Sequence, residues 1–161
     1  MKIDRKQRGM TLIEILISLG ITGVVVGGLA AAIYTIMSVT GRGNAEISLL
    51  RDIQSASYWI NNDAQTARDI TLTGGVPANG MILDWDDSDG IPHSCNYTFS
   101  GRELIRSFNG ISSTIAWNVS SIEFSVTDDV LTYTLASETE GRWVVNKDVT
   151  GYVNLRAWDE N

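Results

Sequence analysis

The run from Arg8 to Gly41, RGMTLIEILISLGITGVVVGGLAAAIYTIMSVTG, decides most of what this chain can become. Between Ile15 and Gly41 it holds no Asp, Glu, Lys or Arg, and about 20 apolar residues in a helix suffice to cross the hydrocarbon core of a bilayer. No other run in the sequence matches it. Lys2, Arg5, Lys6 and Arg8 stand directly before it. Positive charge beside a span stays cytoplasmic, which sends everything after Gly41 to the far side.

A basic leader and an apolar run also outline a secretory signal peptide, whose core is about 7 to 15 residues long and ends in a small-residue cleavage site. This run is far longer and ends in no A-x-A-like site, so a spanning helix is the better reading. One charge interrupts it, Glu14. A carboxylate this close to the start of a membrane helix is costly unless paired, and no cation lies within helical reach on its apolar side. A cut after Gly9 would create an α-amino group on Met10, about one turn away or on a neighbouring copy, and so supply the missing positive charge.

These residues resemble a known family. K-x-x-R-K-x-R-G followed by M-T-L-I-E-I-L-I-S-L-G-I is similar to the class III signal of type IV pilins and type II secretion pseudopilins. The resemblance covers about the first forty residues. It implies that a membrane aspartyl peptidase cuts after Gly9 and methylates Met10, that Thr11 is the second mature residue, and that Glu14 is the fifth-position carboxylate used in assembly. It also implies partners: the prepilin peptidase, other pilin or pseudopilin subunits and the cytoplasmic membrane. Two departures stand out. The first mature residue is Met where Phe is commonest in the family, and no Pro precedes Pro77 to kink the spine. Gly20, Gly23, Gly27 and Gly28 occupy that region instead; glycine loosens a helix and lets membrane helices approach closely.

Beyond the span the chain has room for one small domain. Its charge is strongly acidic: the first nine residues carry +3, so the formal −7 of the whole leaves −10 on the remainder. Such a surface repels phosphate backbones, and there is no basic stripe of the kind nucleic-acid binding uses. With a single cysteine, Cys95, no internal disulfide can form; it reads as a small half-buried strand residue. The lone His93 has no partners at metal-ligand spacing.

The helix is expected to continue past Gly41. Thr40-Gly41-Arg42-Gly43-Asn44 is its weak point, where a kink would cost little. After that Ile47, Leu50, Ile53, Ser57, Ile60, Ala64 and Ala67 recur at spacings of three and four, the period of an amphipathic helix. Arg51, Asp52, Gln54, Asn61, Asn62, Asp63, Gln65 and Arg68 fall mostly on the other face. The helix is expected to stop near Asp69, because residues 71–80 are rich in Thr, Gly and Pro.

The rest reads as short antiparallel strands: 81–85, 96–99, 103–108, 115–119, 122–126, 131–135, 143–145 and 152–157. Asn109-Gly110 is a hairpin-turn signal. Ile122, Phe124 and Val126 alternate with Glu123, Ser125 and Thr127, and Leu131, Tyr133 and Leu135 repeat the pattern, so one face is apolar. The amphipathic helix is its natural cover. The expected fold is α+β and pilin-like: leader 1–9, hydrophobic helix 10–41, amphipathic continuation 42–70 and antiparallel β-sheet domain 71–161. The helix-then-meander order, with NYTFSGRELIRS and SSIEFSV, also loosely resembles minor pilins and J-type pseudopilins.

Few groups invite chemistry. Asp84, Asp86, Asp87 and Asp89 ahead of Gly90 form a dense acidic loop that can offer oxygen ligands to calcium. It does not fit the EF-hand template, since Trp85 would take the first ligand position and Asn96 the twelfth. A solvated turn, where Asp and Gly are favoured for backbone reasons, accounts for it better. No nucleophile elbow, H-E-x-x-H or Walker loop is present. The tryptophans at 59, 85, 117, 143 and 158 are numerous for this length. Packing accounts for most, and an exposed one can stack on a sugar or a partner. A structural subunit is therefore expected, with no cofactor. The alternative is a single-pass membrane protein that captures a ligand with its outer β-domain; a membrane-anchored enzyme lacks any supporting constellation.

Overall fold

A computed structural model describes residues 11–155. The chain divides into two compact units, Met1–Gly41 and Arg42–Asn161. One helix, α1, runs through Leu12–Thr66 without a break, so the glycines at 41 and 43 stay helical and the expected weak point at residues 40–44 does not open. Eight strands follow: β1 Asp69–Thr73, β2 Gly80–Asp86, β3 Pro92–Ser100, β4 Glu103–Phe108, β5 Ile111–Ala116, β6 Val119–Thr127, β7 Val130–Glu138 and β8 Asn146–Asn154.

In the first unit the described helix is apolar all round, and every one of its large hydrophobic side chains from Leu12 to Val39 is exposed. Its polar side chains turn inward on their own backbone. Ser18, Thr22, Thr35 and Ser38 donate to the carbonyls of Ile15, Ser18, Ala31 and Tyr34 at 2.7 to 3.0 Å. A helix whose hydroxyls are satisfied internally presents little but hydrocarbon to its surroundings, as a bilayer demands.

The second unit is an α+β fold, as the alternation and the amphipathic stretch predict. Its strands form two antiparallel meanders, β1-β2-β3-β4-β5 and β6-β7-β8. Asn109 and Gly110, both at positive φ (48° and 84°), turn β4 into β5. That is the geometry in which a two-residue loop matches the twist of its strands. The sheets meet where the Phe124 amide donates to the Ala78 carbonyl at 2.8 Å.

Residues 42–66 of α1 cover the sheet through Leu49, Ile53, Ala56, Ile60 and Ala64. Ile53, Ala56, Ile60 and Ala64 share one core with Met81, Leu83, Cys95, Tyr97 and Leu104, and that core continues into Ile122, Phe124, Leu131, Tyr133 and Leu135 of the second sheet. Ala56 is fully buried; a methyl at that point lets the helix backbone come close to the strands.

Four expectations need correction. The strand expected over 115–119 is instead the end of β5, a bend at Trp117-Asn118 and the first residue of β6. The buried stripe is rotated from the apolar one: Ile47 and Leu50 are 59% and 42% exposed, while Asp52 and Asp63, read onto the polar face, are buried. The sheet selects the face through polar partners that hydrophobic spacing does not register. The helix also stops at Thr66, and Asp69 opens β1 where turn residues suggested a loop. The Arg68 amide donates to the Asp84 carbonyl at 2.8 Å, so the sheet ladder claims the chain at once. Residues 143–145 are not a strand; they close a loop in which Thr139 Oγ1 donates to the Trp143 carbonyl and accepts from the Val145 amide.

Candidate functional site

Gly9 and Met10, the expected cleavage and methylation positions, lie outside the described residues. The described chain begins at Thr11, immediately ahead of α1, and there Thr11 and Glu14 bond reciprocally. The Glu14 amide donates to the Thr11 carbonyl at 3.0 Å and, at 3.4 Å, to its hydroxyl. In return the Thr11 amide and hydroxyl donate to Glu14 Oε2, both at 3.4 Å. This is a capping box, T-x-x-E, in which two otherwise orphaned amides of a helix start satisfy one another's residues. Reading for charge alone passes over it, although the Thr-Leu-Ile-Glu spacing is the signal.

The cap adds something to the carboxylate's role. It bends the Glu14 side chain back toward residue 11, where the positive end of the helix dipole favours a negative charge. Past it, the glycines at 20, 23, 27 and 28 face open space, since an added Cβ would meet nothing within 4 Å beyond its chain neighbours and the adjoining helix backbone. Among the described residues this is the one helix long and apolar enough to cross a membrane.

The second unit contains a site that periodicity concealed. Asp63, 3% exposed, sits at the helix–sheet interface. Its Oδ2 accepts from Arg106 Nε at 2.6 Å, from the Tyr97 hydroxyl at 2.5 Å and from Cys95 Sγ at 3.2 Å, while Oδ1 accepts from Arg106 Nη2 at 3.0 Å. The Arg106 guanidinium lies 4.5 Å from the Trp59 ring centroid. Burial pushes the Asp63 carboxyl up, but the Arg106, Tyr97 and Cys95 hydrogen bonds and the Arg106 charge outweigh it and hold the group below its ordinary range. Burial first, and then Asp63, push the Cys95 thiol up to about 12. A thiol so protonated is a poor nucleophile; Cys95 is a fully buried core residue and hydrogen-bond donor.

Asp52, 8% exposed, differs from Asp63. It accepts from Asn118 Nδ2 at 3.5 Å and forms no ion pair with a described Lys or Arg, although the charge of the neighbouring Arg51 acts to draw its carboxyl down. Burial raises its carboxyl above the ordinary value.

The acidic loop is a backbone device. Asp87 Oδ1 accepts from the amides of Asp89 and Ile91, both at 2.9 Å, and Oδ2 meets His93 Nε2 at 3.3 Å. His93 is held on its other side by Asn109, stacks with Phe108 and meets Trp85 at a tilt of 34°. Asp84 and Asp86 belong to β2, Asp84 opposite Asp69 and Ser94 and Asp86 opposite Pro92. They line an open groove of about 470 Å³ with Arg68, Trp85 and His93. Among the described residues no three His, Cys, Asp or Glu side chains converge to hold a metal ion.

Residues 4–30 match the family model of the prokaryotic N-terminal methylation motif. No curated protein and no solved structure matches the chain.

Proposed function

We propose that this chain, which carries the N-terminal methylation motif of the type IV pilin and pseudopilin family, is a minor pilin or pseudopilin, a structural subunit without catalytic activity. The supporting observation is the joint register of basic leader, Gly9, Glu14 and an uncharged helix over the matched residues. In this reading the peptidase cuts after Gly9, Met10 is N-methylated, and the helix holds the protein in the cytoplasmic membrane with its β-domain outside. The subunit is then drawn from the bilayer into a pilus or pseudopilus, where neighbouring helices replace lipid around Leu12–Val39.

Glu14 has two tasks in that sequence. Before assembly its carboxylate completes the cap with Thr11. In the filament it meets the Met10 amine of an adjacent subunit, in surroundings of low dielectric where each charge makes the other tolerable and either alone is costly. Mass spectrometry of the mature N-terminus tests the reading, with methylated Met10 as the expected first residue. Gly9→Val should block the cut, whereas Glu14→Ala should leave the cut intact and remove the protein from sheared filaments. An uncleaved chain in cells that possess the peptidase overturns the proposal, and a cleaved chain confined to membranes returns the anchored binding module.

A further inference from the structure

His93, the one histidine of the chain, stands between two connections at the same end of the first sheet. On one side is the β2–β3 loop, where Asp87 accepts from the amides of Asp89 and Ile91 through one oxygen and meets His93 Nε2 at 3.3 Å through the other. On the other side is the β4–β5 turn, where Asn109 Nδ2 lies 2.9 Å from His93 Nδ1. The hydrogens along this row are fixed from one end. The Ser94 backbone amide can only donate, and it lies 2.9 Å from Asn109 Oδ1. Asn109 therefore presents its NH2 group to the imidazole, and Nδ1 accepts. The proton of the neutral ring is left on Nε2, where the Asp87 carboxylate accepts it. Every donor in the row then faces an acceptor.

We infer that His93 is a pH-sensitive latch between these two connections, closed while the imidazole is neutral and released on the Asn109 side when the ring takes a second proton. Histidine gains that proton between about pH 5 and 8. An imidazolium donates from both nitrogens. Asp87 still accepts at Nε2, but the new Nδ1 proton points at the Asn109 NH2 group. Turning the Asn109 amide over brings no relief, because its nitrogen would then face the Ser94 amide. A donor opposes a donor either way, so the Asn109 side chain must leave one of its two neighbours. The Asn109 backbone amide keeps its bond to the Ser94 carbonyl at 2.9 Å, which confines the change to side chains. His93, Ser94 and Asn109 all line the open groove, so release reshapes its wall. Around the ring, Asp84 and Asp86 of β2, Asp69 of β1 and Arg68 line the same groove, and Arg106 of β4 lies 5.2 Å from the Phe108 ring on which His93 stacks. The carboxylates, Asp87 included, draw a proton to the ring; the Asn109 amide and the two arginines oppose it. The latch is independent of the assembly reading.

NMR of the full chain in detergent tests the latch, and a single histidine makes the ring signals unambiguous. At about pH 8 the ring nitrogens should show the tautomer protonated on Nε2. As pH falls to about 5, the Asn109 side-chain amide and the Ser94 backbone amide should shift with the same midpoint as the His93 ring. Aspartates ordinarily titrate near 3.9, below that window. His93→Phe keeps a ring beside Phe108 and takes no proton, so both amides should hold still over the range. Asn109→Asp offers an oxygen to each neighbour, accepting from the Ser94 amide and from the imidazolium alike. It should raise the His93 midpoint by about one unit, as a carboxylate at that distance does. A ring protonated on Nδ1 at about pH 8, or amides that ignore the His93 titration, overturns the latch. An Asn109→Asp midpoint at or below that of wild type overturns it as well.

Discussion

One continuous helix serves two regions that solve the same problem in opposite ways. Residues 12–41 expose hydrocarbon on every side and bury none of it within the chain. Residues 42–66 bury a single face, and that face includes two carboxylates. Helical hydrogen bonding is common to both, so the backbone does not distinguish them. The difference lies in what surrounds the side chains: the first region needs a medium supplied by lipid or other helices, while the second is satisfied by its own strands. In the proposed assembly both are needed, a segment that can exchange one apolar environment for another and a segment that keeps the domain folded meanwhile.

The largest expected effect tests whether the second region is held internally. Asp63→Ala would leave Arg106 without its anion and Tyr97 and Cys95 without their acceptor, all at a site buried against the sheet. Breaking a buried pair from one side costs about 3–5 kcal/mol, a large part of a small domain's stability. Chemical unfolding of the solubilised protein, followed by tryptophan fluorescence, should show the loss. A variant as stable as wild type would break the contrast between the regions.

Acid sharpens it. The folded Asp63 carboxyl lies below its unfolded value of about 3.9, so the stability it contributes is complete above that pH and is lost as pH falls through the folded value. Asp52 has the opposite sign, its folded value being raised; its ionisation is unfavourable at neutral pH, and protonation relieves it. Stability measured against pH should therefore fall below about pH 4 in wild type, and fall less in Asp63→Asn, whose side chain no longer titrates.

Gly151 probes the second sheet. An added Cβ there would enter the ring of Tyr133, which is 2% exposed and has nowhere to move. Gly151→Ala should cost about 1–3 kcal/mol, the range for overpacking a filled core, in the same unfolding measurement. The smallest effect belongs to Lys147→Ala. The Lys147–Glu46 pair is short, 2.8 Å, but both side chains are about two-fifths exposed. Water screens such pairs, and the unfolding midpoint should not move.

Much of this was legible in the residues. Strands β6 and β7 follow from the alternation of Ile122, Phe124, Val126 and of Leu131, Tyr133, Leu135, because a half-buried strand writes its burial into a period of two. Asn109-Gly110 marks its turn because few residues accept positive φ there. β1 was hidden because five residues beside a cluster of turn formers carry too little periodic signal. The Asp63 site was hidden for a stronger reason: Arg106 is forty-three residues away, and an aspartate amid Asn and Gln on a helix reads as solvated unless its partner is known.

The sequence by itself determined the N-terminal helix, its lack of charge, the placement of Glu14 four residues after Met10, and the alternating strands. These are local patterns, set by solvent and by spacing along the chain. The tertiary structure alone decided which face of residues 42–66 is buried and that Asp63 is ion-paired with Arg106 while Asp52 forms no ion pair. Burial and pairing depend on which strands arrive beside the helix, and that information is spread over distant residues with no short-range signature.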